Sequence, residues 1–272
     1  MNRMVRLIRY LLLSLAGVVF IYPFLWMISA TLRPENEIGA LNLLPSDWTL
    51  VSYKTVFEKI PLLRAFANSL FVSLSVVICV LLFGSMTGFA ISRLNFRGRG
   101  MIFMLILLTM ILPFQLTLIP LYILMVKLGW VDTYLALIVP YGINALSVLI
   151  FRQAFKTIPQ DVVDAARIDG ASDFGILFRI FWPLSMPTLI TVSILTFMGI
   201  WNEVLWPILT IRKTELMVMP QLVALFVVGG AAESQLGVQL AAATLLALPI
   251  VIAYAFFQKY FIESMAATGL KE

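Results

Sequence analysis

Six stretches of this chain run for 19 to 28 residues without a single charged side chain, and nothing else constrains its fold as strongly. They are residues 10–32, 65–92, 100–126, 133–151, 180–202 and 234–258. A helix rising 1.5 Å per residue needs about 20 residues to cross the hydrocarbon core of a bilayer. Each run meets that length, is rich in Leu, Ile, Val and Phe, and is apolar on every face. A transmembrane strand would instead alternate apolar and polar residues over about ten positions. The expected fold class is therefore an all-α membrane protein, with six transmembrane helices in one membrane domain spanning 1–272. Composition agrees: 61% of residues are apolar, 12% are charged and the mean hydropathy is +1.00. An ordinary soluble domain carries about 25% charged residues. A soluble enzyme and a nucleic-acid module are both excluded, whatever the net charge of +5 suggests by itself.

A seventh apolar run, 216–232, is short and broken by Pro220, Gln221 and Gly229-Gly230. It is expected as a short helix lying on or dipping into the membrane surface. Lys and Arg near the helix ends set orientation. Twelve lie before the first run, in 93–99, in 152–179 and after the last run; seven lie in the opposite loops. The side with twelve is read as cytoplasmic, which puts both termini inside. The apolar run behind the basic N-terminus exceeds the 7–15 residues of a signal-peptide core, so an uncleaved first helix is expected.

The chemistry is sparse. The chain has no histidine and one cysteine, Cys79, which removes the commonest metal ligand and the usual general base near neutral pH. No metal site is expected. No Gly-x4-Gly-Lys-Ser/Thr string occurs, so the chain is not expected to bind or hydrolyse ATP, or to hold a cofactor of its own.

Loop 33–64 carries Pro34, Pro45 and Pro61 with balanced charge, and is expected as an outer cap. Loop 152–179 is more informative. Thr157 followed by Gln160 has the form of a capping box, and Pro159 suits the first turn of a helix. Asp161 and Asp164 complement the positive helix start, Ala165 and Ala166 continue it with little bulk, and Gly170 supplies a left-handed stop. Ser172 then caps a second helix running toward Pro183. The spacing predicts a helix–turn–helix too polar to cross the bilayer, with adjacent alanines that admit another protein surface.

The same residues carry a resemblance. Asp164-Ala165-Ala166, Gly170, Ile180, Trp182 and Pro183 stand at the spacing of the EAA signature of bacterial ABC importer membrane subunits, with Asp in place of Glu and Trp in place of Leu. Asn68-Ser69, Leu112-Pro113, Ile119-Pro120-Leu121-Tyr122, Ala165 to Ala171, Trp201-Asn202-Glu203 and the tail from Gln258 to Ile262 resemble the maltose-type sugar permeases. The resemblance implies the type I importer permease fold in a bacterial cytoplasmic membrane. It implies a second homologous permease subunit, two ATPase subunits that carry ATP and Mg, and an external solute-binding protein, met here by 211–233. It also implies a coupling helix built on Asp164, Ala165, Ala166 and Gly170, with Asp161, Arg167 and Asp169 around it. The Ala166 surface would dock the ATPase.

A neutral sugar is held by hydrogen bonds and aromatic stacking, so polar residues in or beside the apolar runs are substrate-path candidates. These are Gln115, Asn144, Trp201, Asn202 and Glu203. Counted from Pro187, Glu203 would lie about 24 Å along a helix, in its outer third. Two other functions fit less well: an ABC permease for a non-sugar solute, and an ion-driven secondary transporter. The latter usually shows intramembrane charges and repeated halves.

Overall fold

All six uncharged runs are helical, but only three form single rods. In the computed structural model, which describes residues 3–38, 45–230, 232 and 235–269, the first run lies in α1 (Arg3–Thr31). The second lies in α3 (Leu62–Arg93), and the sixth begins α13 (Leu236–Gly269), of which Leu236–Phe256 qualifies as a span. The other three are bent pairs: α4 (Arg99–Ile111) with α5 (Phe114–Leu128), α6 (Tyr134–Tyr141) with α7 (Ala145–Thr157), and α9 (Asp173–Leu184) with α10 (Met186–Trp201). The bends are 103°, 42° and 86°.

The runs 100–126, 133–151 and 180–202, each expected as one spanning helix, are thus each broken in two. Leu112, preceding Pro113, takes an extended conformation (φ −75°, ψ 119°), as the residue before a proline tends to. The arms on either side have 13 and 15 residues, each shorter than a bilayer requires. At the break in 180–202 Ser185 leaves the helical region between Pro183 and Pro187, so residues 180–184 belong to the other arm. The seventh apolar run forms α12 (Met219–Val228), ten residues and too short to span. Three short α-helices, α2 (Val51–Lys59) in the expected outer cap, α8 (Gln160–Ile168) and α11 (Leu205–Thr210), and two 3-10 turns, Glu35–Glu37 and Thr214–Leu216, complete the described chain.

The helices sort into two compact units. The first holds residues 1–63 and 222–252. Within it α1 exposes its apolar side chains from Tyr10 to Phe24, as a lipid-facing rod does. Beyond α1, Glu35 accepts from the backbone N–H groups of Leu236 (2.5 Å) and Gly237 (3.0 Å), a cap supplied to α13 from 201 and 202 residues away in sequence. Thr31 Oγ1 and Tyr53 Oη share a 2.8 Å hydrogen bond that ties α2 to the end of α1.

The second unit holds residues 64–221 and 253–272 and contains the main apolar core. The core depends on the close approach of α3 and α7. A Cβ on Gly84 would lie 2.8 Å from Ser147 Oγ, and one on Gly88 only 2.7 Å from Phe151 Cβ. The Gly84-x3-Gly88 pair therefore makes a small-residue interface of the kind that lets membrane helices touch backbone to backbone. A π-helical turn over Val80–Gly84 precedes it. Phe89, Phe155 and Phe181 pack edge to face beside the interface, with centroids 5.1 to 6.5 Å apart.

Candidate functional site

The loop that carries the sharpest sequence signal is built at the arginine-rich end of α3, where Arg93 holds it, Arg99 and Arg152 lie close to each other, and Arg167 stands in its turn. Helix α8 stops as expected. Gly170 has φ +82°, its N–H donates to Arg167 O, and Ala171 N–H donates to Ala166 O. That pair of bonds is a Schellman turn, which needs a left-handed residue. Ser172 caps α9, its Oγ accepting from Gly175 N–H at 3.2 Å. The turn is bridged by an exposed ion pair between Arg167 and Asp173 at 3.1 Å.

Two expectations fail here. Thr157 does not cap α8: it still belongs to α7, and its hydroxyl donates to Ala154 O at 2.8 Å. Pro159 occupies the cap position, and no side chain caps there. Nor does Ala166 offer a docking surface, because it is buried with Val163 in the apolar core that also holds Phe155, Ile158 and Ile176. A 3.6-residue period cannot turn two adjacent alanines the same way. The outward face is Asp161, Asp164, Ala165 and Ile168, at i, i+3, i+4 and i+7, with Asp169 and Gly170 exposed at its end. Ile168 is 87% exposed, a large apolar side chain that the sequence reading passed over.

Sequence reasoning also missed what holds this loop. Arg93, the last residue of α3, donates from Nε to Phe155 O at 3.2 Å and from Nη1 to Gln160 Oε1 at 2.8 Å. Its Nη2 also reaches Phe155 O and Ile158 O, and its guanidinium lies 5.5 Å from the Phe181 ring. One cation thus joins the ends of α3 and α7, the start of α8 and the body of α9. The same end is tied again by Trp182 Nε1, which donates to Ser85 Oγ at 3.0 Å.

A cavity of about 470 Å³ opens in this unit, lined by Tyr141, Asn144, Ser147, Thr196 and Glu203 among apolar walls such as Val76, Phe114 and Val192. Tyr141 Oη is buried there without a hydrogen-bond partner among the described residues. Of the substrate-path candidates, the structure brings Asn144 and Glu203 together at this cavity. Both also serve the backbone: Asn144 Oδ1 accepts from Ser147 N–H at 2.8 Å, and Glu203 Oε1 from Trp206 N–H at 3.0 Å. Glu203 sits in the gap after α10, not within a helix. The other three candidates lie elsewhere. Gln115 is exposed on α5, Trp201 is buried between Phe66 and Phe197, and Asn202 is exposed with its amide donating to Met198 O.

At the opposite end of α3, the stretch 211–219 is held by side chains from other segments. Asn68 Nδ2 donates to Glu215 O and Met217 O, at 3.0 and 2.9 Å, while Arg64 Nε donates to Glu215 O at 2.9 Å. Ser69 Oγ accepts from Met219 N–H at 2.7 Å. Asp132 Oδ1 accepts from the N–H groups of Arg212 and Lys213, at 2.5 and 3.0 Å. Residues 212–215 remain exposed on this pinned backbone. Positions 231 and 233 of the expected partner loop lie outside the described residues.

Comparison with known proteins fits this architecture. Residues 80–266 match the family described as "Binding-protein-dependent transport system inner membrane component". The arabinooligosaccharides transport system permease protein AraQ of Halalkalibacterium halodurans is 35% identical over 96% of this chain and 95% of its own length. The probable starch degradation products transport system permease protein AmyC of Thermoanaerobacterium thermosulfurigenes is 31% identical over 99% of this chain and 100% of its own. A chain in the crystal structure of a bacterial ABC transporter involved in alginate import superposes with a TM-score of 0.82 at 26% identity, over 95% of this chain and 97% of that one. This multi-pass membrane protein belongs to the binding-protein-dependent transport system inner membrane component family.

Proposed function

We propose that the chain is the permease subunit of an ABC importer for a sugar or glycoside, with α8 as the coupling helix that docks on a separate ATPase subunit. Both termini and the arginine-rich end face the cytoplasm. A second homologous permease subunit completes the pathway, two ATPase subunits carry ATP and Mg, and an external solute-binding protein delivers substrate across 211–233. The observation that carries this reading is the construction of α8. It is stopped by a Schellman turn, fixed inward by Val163 and Ala166, and tied to α3 through Arg93. Its outward face offers two carboxylates and a bare Ile168. A helix held this way moves with the spans it is tied to, so a push on Ile168 becomes a push on α3 and α7.

The sugar class is supported by the substrates named for the relatives and by the cavity. A few hundred Å³ of apolar wall with a small number of polar groups is the ordinary form of a small-ligand site. Tyr141, Asn144, Thr196 and Glu203 supply donors and acceptors for hydroxyl groups.

The test is recovery of partners in mild detergent. The wild-type chain should bring down both an ATPase subunit and a second permease. Ile168→Asp should keep the permease and lose the ATPase, because the substitution places a charge at the docking point while α8 keeps its inward packing. Undiminished ATPase recovery would move the coupling face elsewhere. A chain recovered alone, and active in liposomes without ATP, would overturn the importer reading.

A further inference from the structure

Arg152 is a half-buried cation whose hydrogen-bond donors the fold leaves unused. It projects from α7, five residues before the helix ends, and its guanidinium carbon lies 3.7 Å from the centroid of the Phe103 ring. Its Nε is buried with no hydrogen-bond partner, and no carboxylate pairs with it among the described residues. An arginine offers five donors, and a buried donor left without an acceptor costs about 1–3 kcal/mol.

Phe103 stands on α4 one turn after Arg99, so Arg99 faces the same side, and the two guanidinium groups repel each other. Arg99 spends Nη1 on Leu94 O and Asn95 Oδ1, at 3.0 and 3.3 Å. The start of α4 lies here as well. Its first turn has no side-chain cap, so the positive end of the helix adds to the two cations. An oxyanion between Arg99 and Arg152 would give the two guanidinium groups a shared acceptor and cancel their repulsion in one step. Away from Arg99 and Phe103, α4 is apolar and bare, a collar of Met101, Ile102, Met104 and Leu105 exposed round the same helix, as on a helix that faces lipid. A water-borne anion has no use for such a collar, whereas the acyl chains of a lipid do.

We propose that Arg99 and Arg152, with Phe103 as floor, hold the phosphate group of an anionic phospholipid at this membrane interface. The shared chemistry is a phosphate oxyanion met by guanidinium forks, and the collar assigns it to a lipid headgroup over soluble phosphate. The bound lipid braces α7 just ahead of the segment that leads into α8. The site stands on its own residues and holds whatever solute the protein carries.

The test uses the whole transporter, purified with its partner subunits and exchanged from phosphatidylglycerol into phosphatidylcholine nanodiscs. Native mass spectrometry counts the phosphatidylglycerol retained. Wild type should keep it, Arg99→Gln with Arg152→Gln should hold it at least tenfold more weakly, and Arg97→Gln should behave as wild type. In phosphatidylcholine alone the double variant should unfold at or above the wild-type temperature, since one source of repulsion is gone; a purely structural role predicts a lower one. Equal retention by wild type and double variant overturns the site. Displacement of the lipid by millimolar inorganic phosphate overturns the lipid assignment.

Discussion

The two ends of α3 hold their neighbouring loops by opposite means. At the Arg93 end the loop brings its own structure, a helix with a glycine stop and a serine cap, and one guanidinium ties the finished piece to three other segments. At the Arg64 end the loop brings almost none. The backbone of 212–219 is held by Arg64, Asn68, Ser69 and Asp132, and its own side chains at 212–215 are left facing outward. Stiffness is local in the first case and borrowed in the second. A segment that must pass a force on needs to be rigid in itself and attached at few points. A segment that presents side chains to a visiting partner needs only its backbone kept in place.

The sharpest way to break this contrast is to remove the single tie. Arg93→Met deletes donors to Phe155, Ile158 and Gln160, and hydrogen bonds from charged groups contribute about 1.5–3 kcal/mol each. A loss on the order of 3 kcal/mol would let α8 move without α3. In proteoliposomes the variant should hydrolyse ATP while transporting at least tenfold less solute per ATP. Arg93→Lys should recover little, because an ammonium group cannot fork between three acceptors. A wild-type ratio of transport to hydrolysis in Arg93→Met would show that the tie does not couple.

The same contrast explains how much was legible in the sequence. The helical character of the six apolar runs, the Gly170 stop and the Ser172 cap are written within short stretches of chain, and the structure has all three, though only three of the runs are unbroken spans. The tie to Phe155 spans 62 residues and the pins from Asn68 to Glu215 and Met217 span 147 and 149, so neither leaves a local trace. The breaks lie in between. Pro113 and Pro183 are visible, but prolines are tolerated inside membrane helices, and no spacing rule says that one bends the path by 103°. The error at Ala166 was of a different kind. Adjacent alanines suggest one surface, but the period that puts Val163 inward also puts Ala166 inward and leaves Ala165 beside Ile168.

A second variant tests whether the inner loop is stiff by itself. At Gly170 a Cβ would meet nothing within 4 Å, so space is not the obstacle. The obstacle is φ +82°, where a side chain costs about 1–2 kcal/mol and a β-branched one is worst. Gly170→Val should lower transport per ATP by about tenfold, with Gly170→Asn between it and wild type because asparagine tolerates the left-handed region. Wild-type coupling in the valine variant would mean that Arg93 alone sets the position of α8.

The smallest effect is expected at the borrowed loop, through Asp132. The N–H of Arg212, above all, and that of Lys213 stabilise its carboxylate and hold its pKa below the ordinary value. A lowered carboxyl pKa gives stability that is complete above the ordinary value, near 3.9, and is lost as pH falls through the lowered one. A spin label on Thr214→Cys, in a Cys79→Ser background, should therefore stay immobile from neutral pH down to about pH 4 and loosen only below it. Asp132→Asn keeps an acceptor oxygen but loses the charge, which removes about 1 kcal/mol and leaves mobility slightly higher and flat with pH. Loosening of the wild-type loop near pH 6 would assign the clasp to another group. An unchanged label in Asp132→Asn would mean that Arg64, Asn68 and Ser69 hold the loop without it, and the borrowed stiffness would then come from α3 alone.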